Sequence, residues 1–161
     1  TESSFGDGIF DGVNWVSHGG RIAIGSDSNI RISLSEELRT LEYSQRLRDH
    51  SRAALATANH STGRNLFEAA CKGGAQAAGR ATGQIAPGLW ADLLALDGEH
   101  IDLAGQSGDS LLDSYIFAGS DRMVRDVWSA GRHMVQNGRH IARDSIVQAY
   151  RKAITPLREA L

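Results

Sequence analysis

A short segment near the start of the chain has the sequence Arg21-Ile22-Ala23-Ile24-Gly25-Ser26-Asp27-Ser28-Asn29. Its isoleucines are β-branched and a glycine stands at each end, so the pattern predicts a short buried strand over residues 21–25. A polar turn would follow and present the carboxylate of Asp27. In parallel α/β folds, ligands bind where strands end, because loops converge there above a rigid sheet. Aspartate is also a common turn and helix-capping residue, so the segment alone leaves both roles of Asp27 open.

Helical patterns flank this predicted strand. Residues 9–18 have the spacing of a short amphipathic helix, which two glycines end. After the strand, Ser33 and Glu36 fit a capping box, which predicts a helix from residue 34 to about His50. A further helix is predicted over residues 65–78, where small side chains would allow close packing. The first half of the chain therefore has the element order of an α/β fold.

The helix that begins at residue 34 has two distinct faces in the sequence. Leucines recur three or four residues apart, the spacing of one helical face. This face comprises Leu34, Leu38 and Leu41, then Ser44 or Gln45, and it continues to Leu47. The charged residues on the remaining surface are Arg39, Glu42, Arg46 and Asp49. We expect the leucines to be buried and the charged residues to lie mostly outside.

The second half of the chain has a different character. After turn residues at 83–88, a buried strand is predicted over 91–97 and a short helix over 111–117. Two strands, 123–130 and 132–136, are predicted to pair through a tight turn. A terminal helix is predicted from about Asp144, which Pro156 should kink or shorten. Its apolar face comprises Ile146, Tyr150, Ile154, Leu157 and Leu161.

Composition limits the class of protein. The chain has 161 residues, of which 41% are hydrophobic and 22% charged, which is typical of a globular domain. No apolar run reaches the ~20 residues that a membrane-spanning helix needs, and no signal peptide is recognisable. The lone Cys71 cannot form an internal disulfide, which fits a reducing compartment or indifference to redox state. We expect a cytoplasmic protein. With a net charge of −2, no nucleic-acid partner is expected.

Several segments resemble a known family. The residues at 25–29, Gly-Ser-Asp-Ser-Asn, and at 36–49, Glu-Glu-Leu-Arg-Thr-Leu-Glu-Tyr-Ser-Gln-Arg-Leu-Arg-Asp, closely resemble the amidohydrolase superfamily. Within it, they are most similar to the deiminases that act on N-formimino-L-glutamate in histidine degradation. The loop at 5–10, Phe-Gly-Asp-Gly-Ile-Phe, supports the same family. The strand at 88–97 and the hairpin at 127–140 resemble the small β-sandwich of the superfamily in general.

This resemblance implies an α/β fold made of the C-terminal part of a (β/α)8 metal-dependent hydrolase barrel and part of a small β-sandwich. A complete barrel needs about 250 residues, so this chain cannot contain one. Residues 1–82 would be the end of the barrel, with its last strand and helices. Residues 83–161 would be the C-terminal half of the sandwich, with the terminal helix. The implied partners are the N-terminal part of the same enzyme and a second copy in a homodimer.

The resemblance also assigns a role to Asp27. It implies that this carboxylate binds a catalytic zinc ion and accepts a proton from the water that the metal activates. The water would attack the formimino carbon of N-formimino-L-glutamate, releasing ammonia and leaving N-formyl-L-glutamate. The remaining zinc ligands and the residues that hold the substrate carboxylates would lie upstream of this chain. The six histidines are scattered, without a His-x-His pair, and we expect them to be surface or loop residues.

Other polar residues near Asp27 are weaker candidates. Asp7, Ser28 and Asn29 could lie at the edge of the site or be ordinary turn residues. Arg31 could bind a substrate carboxylate, although an ion pair at the surface is the ordinary role, and Arg21 stands at the far end of the predicted strand. Two alternatives stay open: a related enzyme that acts on a purine, pyrimidine or triazine ring, and a non-catalytic fragment.

Overall fold

A computed structural model describes residues 2–159 of the chain. The helices are α1 (Glu2–Phe5), α2 (Gly12–Ser17), α3 (Leu34–Asp49), α4 (Thr62–Ala77), α5 (Asp109–Asp113) and α6 (Arg143–Glu159). The strands are β1 (Leu93–Leu96), β2 (Val124–Ser129), β3 (Arg132–Gln136) and β4 (Arg139–His140). Single turns of 3₁₀-helix cover Ile101–Leu103 and Asp121–Met123, and a π-helical turn covers Ser114–Ala118.

Helix α3 begins and ends where the sequence predicts. The hydroxyl of Ser33 accepts a hydrogen bond from the backbone N–H of Glu36 at 3.3 Å, which caps the first turn. The carboxylate of Glu36 pairs with Arg31 at 2.8 Å. At the other end, His50 adopts a left-handed backbone with φ 51°, which stops the helix. Helix α4 starts three residues earlier than predicted, because the hydroxyl of Ser61 caps it.

The predicted faces of α3 are partly wrong. Leu38 is fully buried in the core, as expected. Leu47 is 78% exposed, and Glu42, predicted to lie outside, is fully buried. The Glu42 carboxylate accepts hydrogen bonds from Ala54 N–H at 2.7 Å and Leu55 N–H at 3.0 Å, and Arg46 donates another at 2.7 Å. Glu42 is buried because its carboxylate satisfies backbone N–H groups of the loop after α3 that would otherwise lack an acceptor.

Residues 21–25 do not form the predicted strand. The segment is irregular in the structure, although Ile22 is buried as expected. A strand needs a hydrogen-bonding neighbour, and within residues 2–159 the strands belong to the sheet formed by β1 to β4. The segment lies instead against α4, where a Cβ added to Gly73 would come within 1.8 Å of the Ile22 carbonyl oxygen. Glycine at 73 thus allows the closest approach of α4 to this segment.

The hydrophobic core joins the helices of the first half to the segment between β1 and β2. Its buried members are Leu38, Leu55, Leu66, Leu103, Tyr115, Ile116 and Met123. The short helix predicted over 111–117 is present as α5 and the π-helical turn, and it supplies Tyr115 and Ile116 to the core. The division of the chain into 1–82 and 83–161 remains a prediction.

The strands form one antiparallel sheet in the order β1-β2-β3-β4. Strands β2 and β3 pair as predicted, through a turn at Ala130 (φ 51°) and Gly131 (φ 77°). The next turn, at Asn137 (φ 49°) and Gly138 (φ 72°), likewise has two successive residues in the left-handed conformation, as tight hairpin turns require. The described residues form a single sheet, so the sandwich remains a prediction.

Helix α6 runs on through Pro156 to Glu159, so the predicted shortening is wrong. A proline so near the end of a helix removes only one backbone hydrogen bond that the helix would otherwise keep. The predicted apolar face is exposed: Ile146 is 54%, Tyr150 60% and Leu157 62% accessible, and Leu161 lies outside the described residues. Within residues 2–159, the helices fall short of the length and apolar character needed to cross a membrane.

Candidate functional site

The segment after residue 25 forms a closed turn that carries Asp27. The backbone N–H of Asn29 donates to the Ser26 carbonyl at 2.7 Å and so closes the turn. Asp27 has a φ of 39°, in the left-handed region that residues other than glycine adopt infrequently. Such strained residues cluster at binding and catalytic sites, where their surroundings hold them in place. His50, Ala53, Ala130 and Asn137 share this conformation, so the backbone of Asp27 supports a site only together with the position of its carboxylate.

Asp27 lies on the wall of a cavity of about 660 Å³ between residues 22–25 and helix α3. Helix α3 contributes Glu37, Thr40, Leu41, Ser44 and Leu47 to the wall. The N-terminal segment contributes Glu2, Ser3, Gly8, Ile9 and Phe10. Among residues 2–159, the lining contains three carboxylates and neither lysine nor arginine. The electrostatics of this cavity therefore favour a cation over an anion.

The carboxylate of Asp27 is free to act as a ligand. It is exposed and has no hydrogen-bond or ion-pair partner among residues 2–159. Carboxylate oxygens are ordinary ligands of zinc and of harder divalent cations. However, no group of three or more potential ligands (His, Cys, Asp or Glu) that could hold a metal ion occurs in this part of the chain. Asp27 fits one coordination position, and the described residues do not complete a site.

Asn29 connects the turn to two other elements. Its side-chain oxygen accepts a hydrogen bond from the Ser4 hydroxyl at 2.8 Å, and its amide nitrogen donates to Glu37 at 2.5 Å. Ser4 belongs to α1 and Glu37 to the first turn of α3. Sequence reasoning missed Glu37, Thr40 and Ser44. Their three- and four-residue spacing on α3 is the signal that could have placed them on the face toward Asp27.

The structure separates the remaining candidates from this cavity. Asp7 and Ser28 are exposed and do not line it, whereas Asn29 does. Arg31 is 67% exposed and pairs with Glu36. Arg21 lines a second cavity, beside α4, and donates to the Gln76 side chain at 2.5 Å. Neither arginine reaches the wall that carries Asp27.

The histidines lie on several elements, away from this wall. His133 on β3 has the most extensive contacts: its Nε2 lies 2.8 Å from an Asp126 oxygen, and its ring stacks on Trp128. The Arg125 guanidinium, which donates to Asp126 at 2.8 Å, holds the pKa of that carboxyl below its ordinary value. This cluster stabilises the hairpin formed by β2 and β3.

Comparison with known proteins identifies the family of this chain. The amidohydrolase family matches residues 1–134, which is most of the chain. The chain therefore belongs to the amidohydrolase family. Within that family it resembles formimidoylglutamate deiminase: it is 49% identical to the curated enzyme from Pseudomonas aeruginosa over 93% of its own length. It spans about a third of that relative (33%).

Solved structures of amidohydrolases and related enzymes have a similar fold over most of this chain. The structure of an amidohydrolase from Brucella melitensis superimposes with a TM-score of 0.87 and 42% identity, over 97% of this chain and 34% of that one. A zinc-bound adenosine deaminase from Xanthomonas campestris gives 0.75 and 24%, over 91% of this chain and 33% of that one. A zinc complex of atrazine chlorohydrolase from Arthrobacter aurescens superimposes with a TM-score of 0.75 and 23% identity, over 92% of this chain and 33% of that one. The last two are similar in fold alone.

Proposed function

We propose that this chain acts as part of a longer, zinc-dependent enzyme that hydrolyses N-formimino-L-glutamate. Water adds to the formimino carbon, the bond to the terminal nitrogen breaks, and the products are N-formyl-L-glutamate and ammonia. The observation that carries the proposal is the identity to the Pseudomonas aeruginosa deiminase along nearly all of this chain. A place in histidine degradation, a cytoplasmic location and a homodimer belong to the same proposal.

In this proposal, Asp27 is both a metal ligand and a catalytic residue. Bound zinc supplies a water that is activated at neutral pH. The Asp27 carboxylate would be one of the groups that hold the ion, and as a base it would accept a proton from the attacking water and return it to the departing nitrogen. Three features support this role: the left-handed backbone, the place on the cavity wall, and the lack of another partner among residues 2–159.

The other functions of the site are assigned to the rest of the longer enzyme. The described residues supply one ligand, whereas catalytic zinc sites have about three protein ligands. The substrate has two carboxylates, and the cavity wall has no lysine or arginine to bind them. We therefore expect the chain alone to be inactive. Residues 1–82 would complete the barrel, and 83–161 would complete the sandwich.

The test is ammonia release from N-formimino-L-glutamate by the longer enzyme with zinc. Asp27→Asn is expected to lower kcat/KM at least about 1,000-fold and to reduce the zinc content, because the amide is a poor ligand and a poor base. Asp144→Asn, the same change at a side chain that is 77% exposed on α6, is the matched control and should leave activity within about threefold. Near-normal turnover by Asp27→Asn would contradict the assignment.

Two further measurements separate the alternatives. Removal of zinc with a chelator should abolish ammonia release, and added zinc should restore it. Adenosine and a chlorinated triazine should not be hydrolysed at a comparable rate. Faster turnover of either ring compound would favour the ring-hydrolysing alternative, whereas activity of the 161-residue chain alone would show that it needs no further ligands.

A further inference from the structure

We propose that Asn29 and Glu37 are positioning residues that set the direction of the Asp27 carboxylate. The inference rests on the proposed function, in which Asp27 binds the metal. Asn29 closes the turn that contains Asp27, through its backbone N–H and the carbonyl of Ser26. Any displacement of Asn29 therefore moves the backbone of Asp27 as well.

The side chain of Asn29 fixes that turn to two other parts of the fold. Its amide nitrogen donates to Glu37 Oε1 at 2.5 Å, and its oxygen accepts from the Ser4 hydroxyl at 2.8 Å. Asparagine can do both because its amide has a donor end and an acceptor end. The turn is thus held from α3 on one side and from the N-terminal segment on the other.

Glu37 is well suited to serve as the anchor. It lies in the first turn of α3, a 16-residue helix capped by Ser33 and packed on the core through Leu38. Residues on a rigid element position their neighbours more accurately than residues on loops. In metal sites, the loss of a group that orients a ligand typically lowers metal affinity about 10- to 100-fold.

The backbone of Asp27 supplies an independent reason for such an anchor. A left-handed conformation at a residue other than glycine persists only where the surroundings over-determine it. Asp27 makes no contact of its own with a polar partner in the described part of the chain. The hydrogen bonds of Asn29, two residues on, to Ser26, Glu37 and Ser4 are contacts that restrain this turn.

The test compares variants of the longer enzyme by zinc affinity and by the visible absorption of the cobalt-substituted form. Asn29→Leu removes the side-chain hydrogen bonds to Glu37 and Ser4 without changing charge, and leucine has the same branched arrangement of four heavy atoms. It should weaken zinc binding about 10- to 100-fold and alter the cobalt spectrum. The melting temperature of the metal-free protein should fall by no more than a few degrees.

Glu37 provides the second pair of variants. Glu37→Gln keeps an oxygen that can accept from Asn29, and it should retain zinc affinity within about threefold, since an intact acceptor preserves the orientation of the turn. Glu37→Leu removes the acceptor and should weaken binding as Asn29→Leu does. Asn65→Leu is the structural control, because Asn65 likewise donates from its side chain, to the Leu55 carbonyl at 2.7 Å, but beside α4. It should lower the melting temperature without changing the cobalt spectrum.

The outcomes are distinguishable. Unchanged zinc affinity and spectrum in Asn29→Leu and Glu37→Leu, together with a loss of zinc in Asp27→Asn, would overturn the positioning role and leave the proposed function intact. An equal loss of affinity in Asn65→Leu would also overturn it, because the effect would then be general destabilisation. Undiminished zinc binding by Asp27→Asn would overturn the proposed function itself. If Asn29→Leu does not fold, the two Glu37 variants decide the question.

Discussion

The buried carboxylate of Glu42 accepts a hydrogen bond from the backbone N–H of Leu55 at 3.0 Å. The same carboxylate accepts from Ala54 N–H, and Arg46 pairs with it from one helical turn away. One side chain of α3 therefore accepts the hydrogen bonds of two backbone N–H groups in the loop that leads to α4. It also keeps Leu55 in the core, where only 4% of that residue is exposed.

Replacing Glu42 by leucine should lower the free energy of unfolding by about 2–4 kcal/mol, because the half-buried N–H of Ala54, the buried N–H of Leu55 and Arg46 lose their partner. Urea unfolding followed by circular dichroism would measure it. The control is Glu68→Leu, which removes an i,i+4 pair with Arg64 at a side chain that is 31% exposed. That change should cost less than about 1 kcal/mol. Equal losses in the two variants would show that the loop contacts of Glu42 contribute nothing.

Two adjacent glycines of α4 should respond in opposite directions to alanine. A Cβ at position 73 would lie 1.8 Å from the Ile22 carbonyl oxygen, whereas a Cβ at position 74 has no neighbour within 4 Å. Gly73→Ala should therefore destabilise the chain by about 1–3 kcal/mol through overpacking. Gly74→Ala should stabilise it by about 0.5–1 kcal/mol, since alanine is the better helix former. Thermal unfolding of both variants checks this, and a shift of the same sign in both would contradict the packing of α4 on residues 21–25.

The success and failure of the sequence predictions have local causes. The bounds of α3 were predictable because capping at Ser33 is a short-range signal that depends on residues three apart. The burial of Glu42 was not, because the amides that it satisfies come from a loop whose path the sequence does not reveal. The strand over 21–25 failed for a similar reason: its composition suits a sheet, but pairing needs a neighbouring strand.

The stability of the hairpin should depend on the charge of Asp126. Its pKa lies below the ordinary value of 3.8, chiefly because Arg125 donates to it, with His133 adding a second bond. A depressed pKa means that the stabilisation is fully present above pH 3.8 and is lost as the pH falls through the lower folded value. Asp126→Asn should therefore shift the urea midpoint more at about pH 5 than at about pH 2.5.

The control for this prediction is Asp144→Asn, whose partner Arg139 and whose own side chain are mostly exposed. Its urea midpoint should change little at either pH. An Asp126→Asn effect that stayed constant between the two pH values would mean that the carboxylate charge plays no part in holding the hairpin.

Cys71 should react slowly with thiol reagents while the chain is folded. Burial raises the pKa of this thiol above its ordinary value of 9.0, and the thiolate is the reactive form. Labelling with a maleimide at neutral pH should be several-fold slower than in urea and should accelerate as the pH rises above 9.0. Equal rates in the folded and unfolded states would place Cys71 in an open environment.

In the candidate site, too, features set by neighbouring residues in sequence were predictable, and features set by tertiary packing were not. Residues 21–29 made Asp27 a candidate, but they fit an ordinary turn equally well, and only the family resemblance assigned it a role. Its left-handed backbone could not be predicted, since that depends on how Asn29 is held by Ser4 and Glu37. Glu37 was not singled out at all, because the cavity that it faces exists only after α3 packs beside residues 22–25.

The order of the sheet has a consequence for the kinetics of folding. Strands β2, β3 and β4 all lie within residues 124–140 and pair with their nearest neighbours in sequence. Hairpins of this kind close in about 1–10 μs. The core, by contrast, brings Leu38 against Ile116 and must wait for a long loop to close. We therefore expect the three-stranded meander to form early, and the contacts between α3 and the π-helical turn to form late and limit the folding rate.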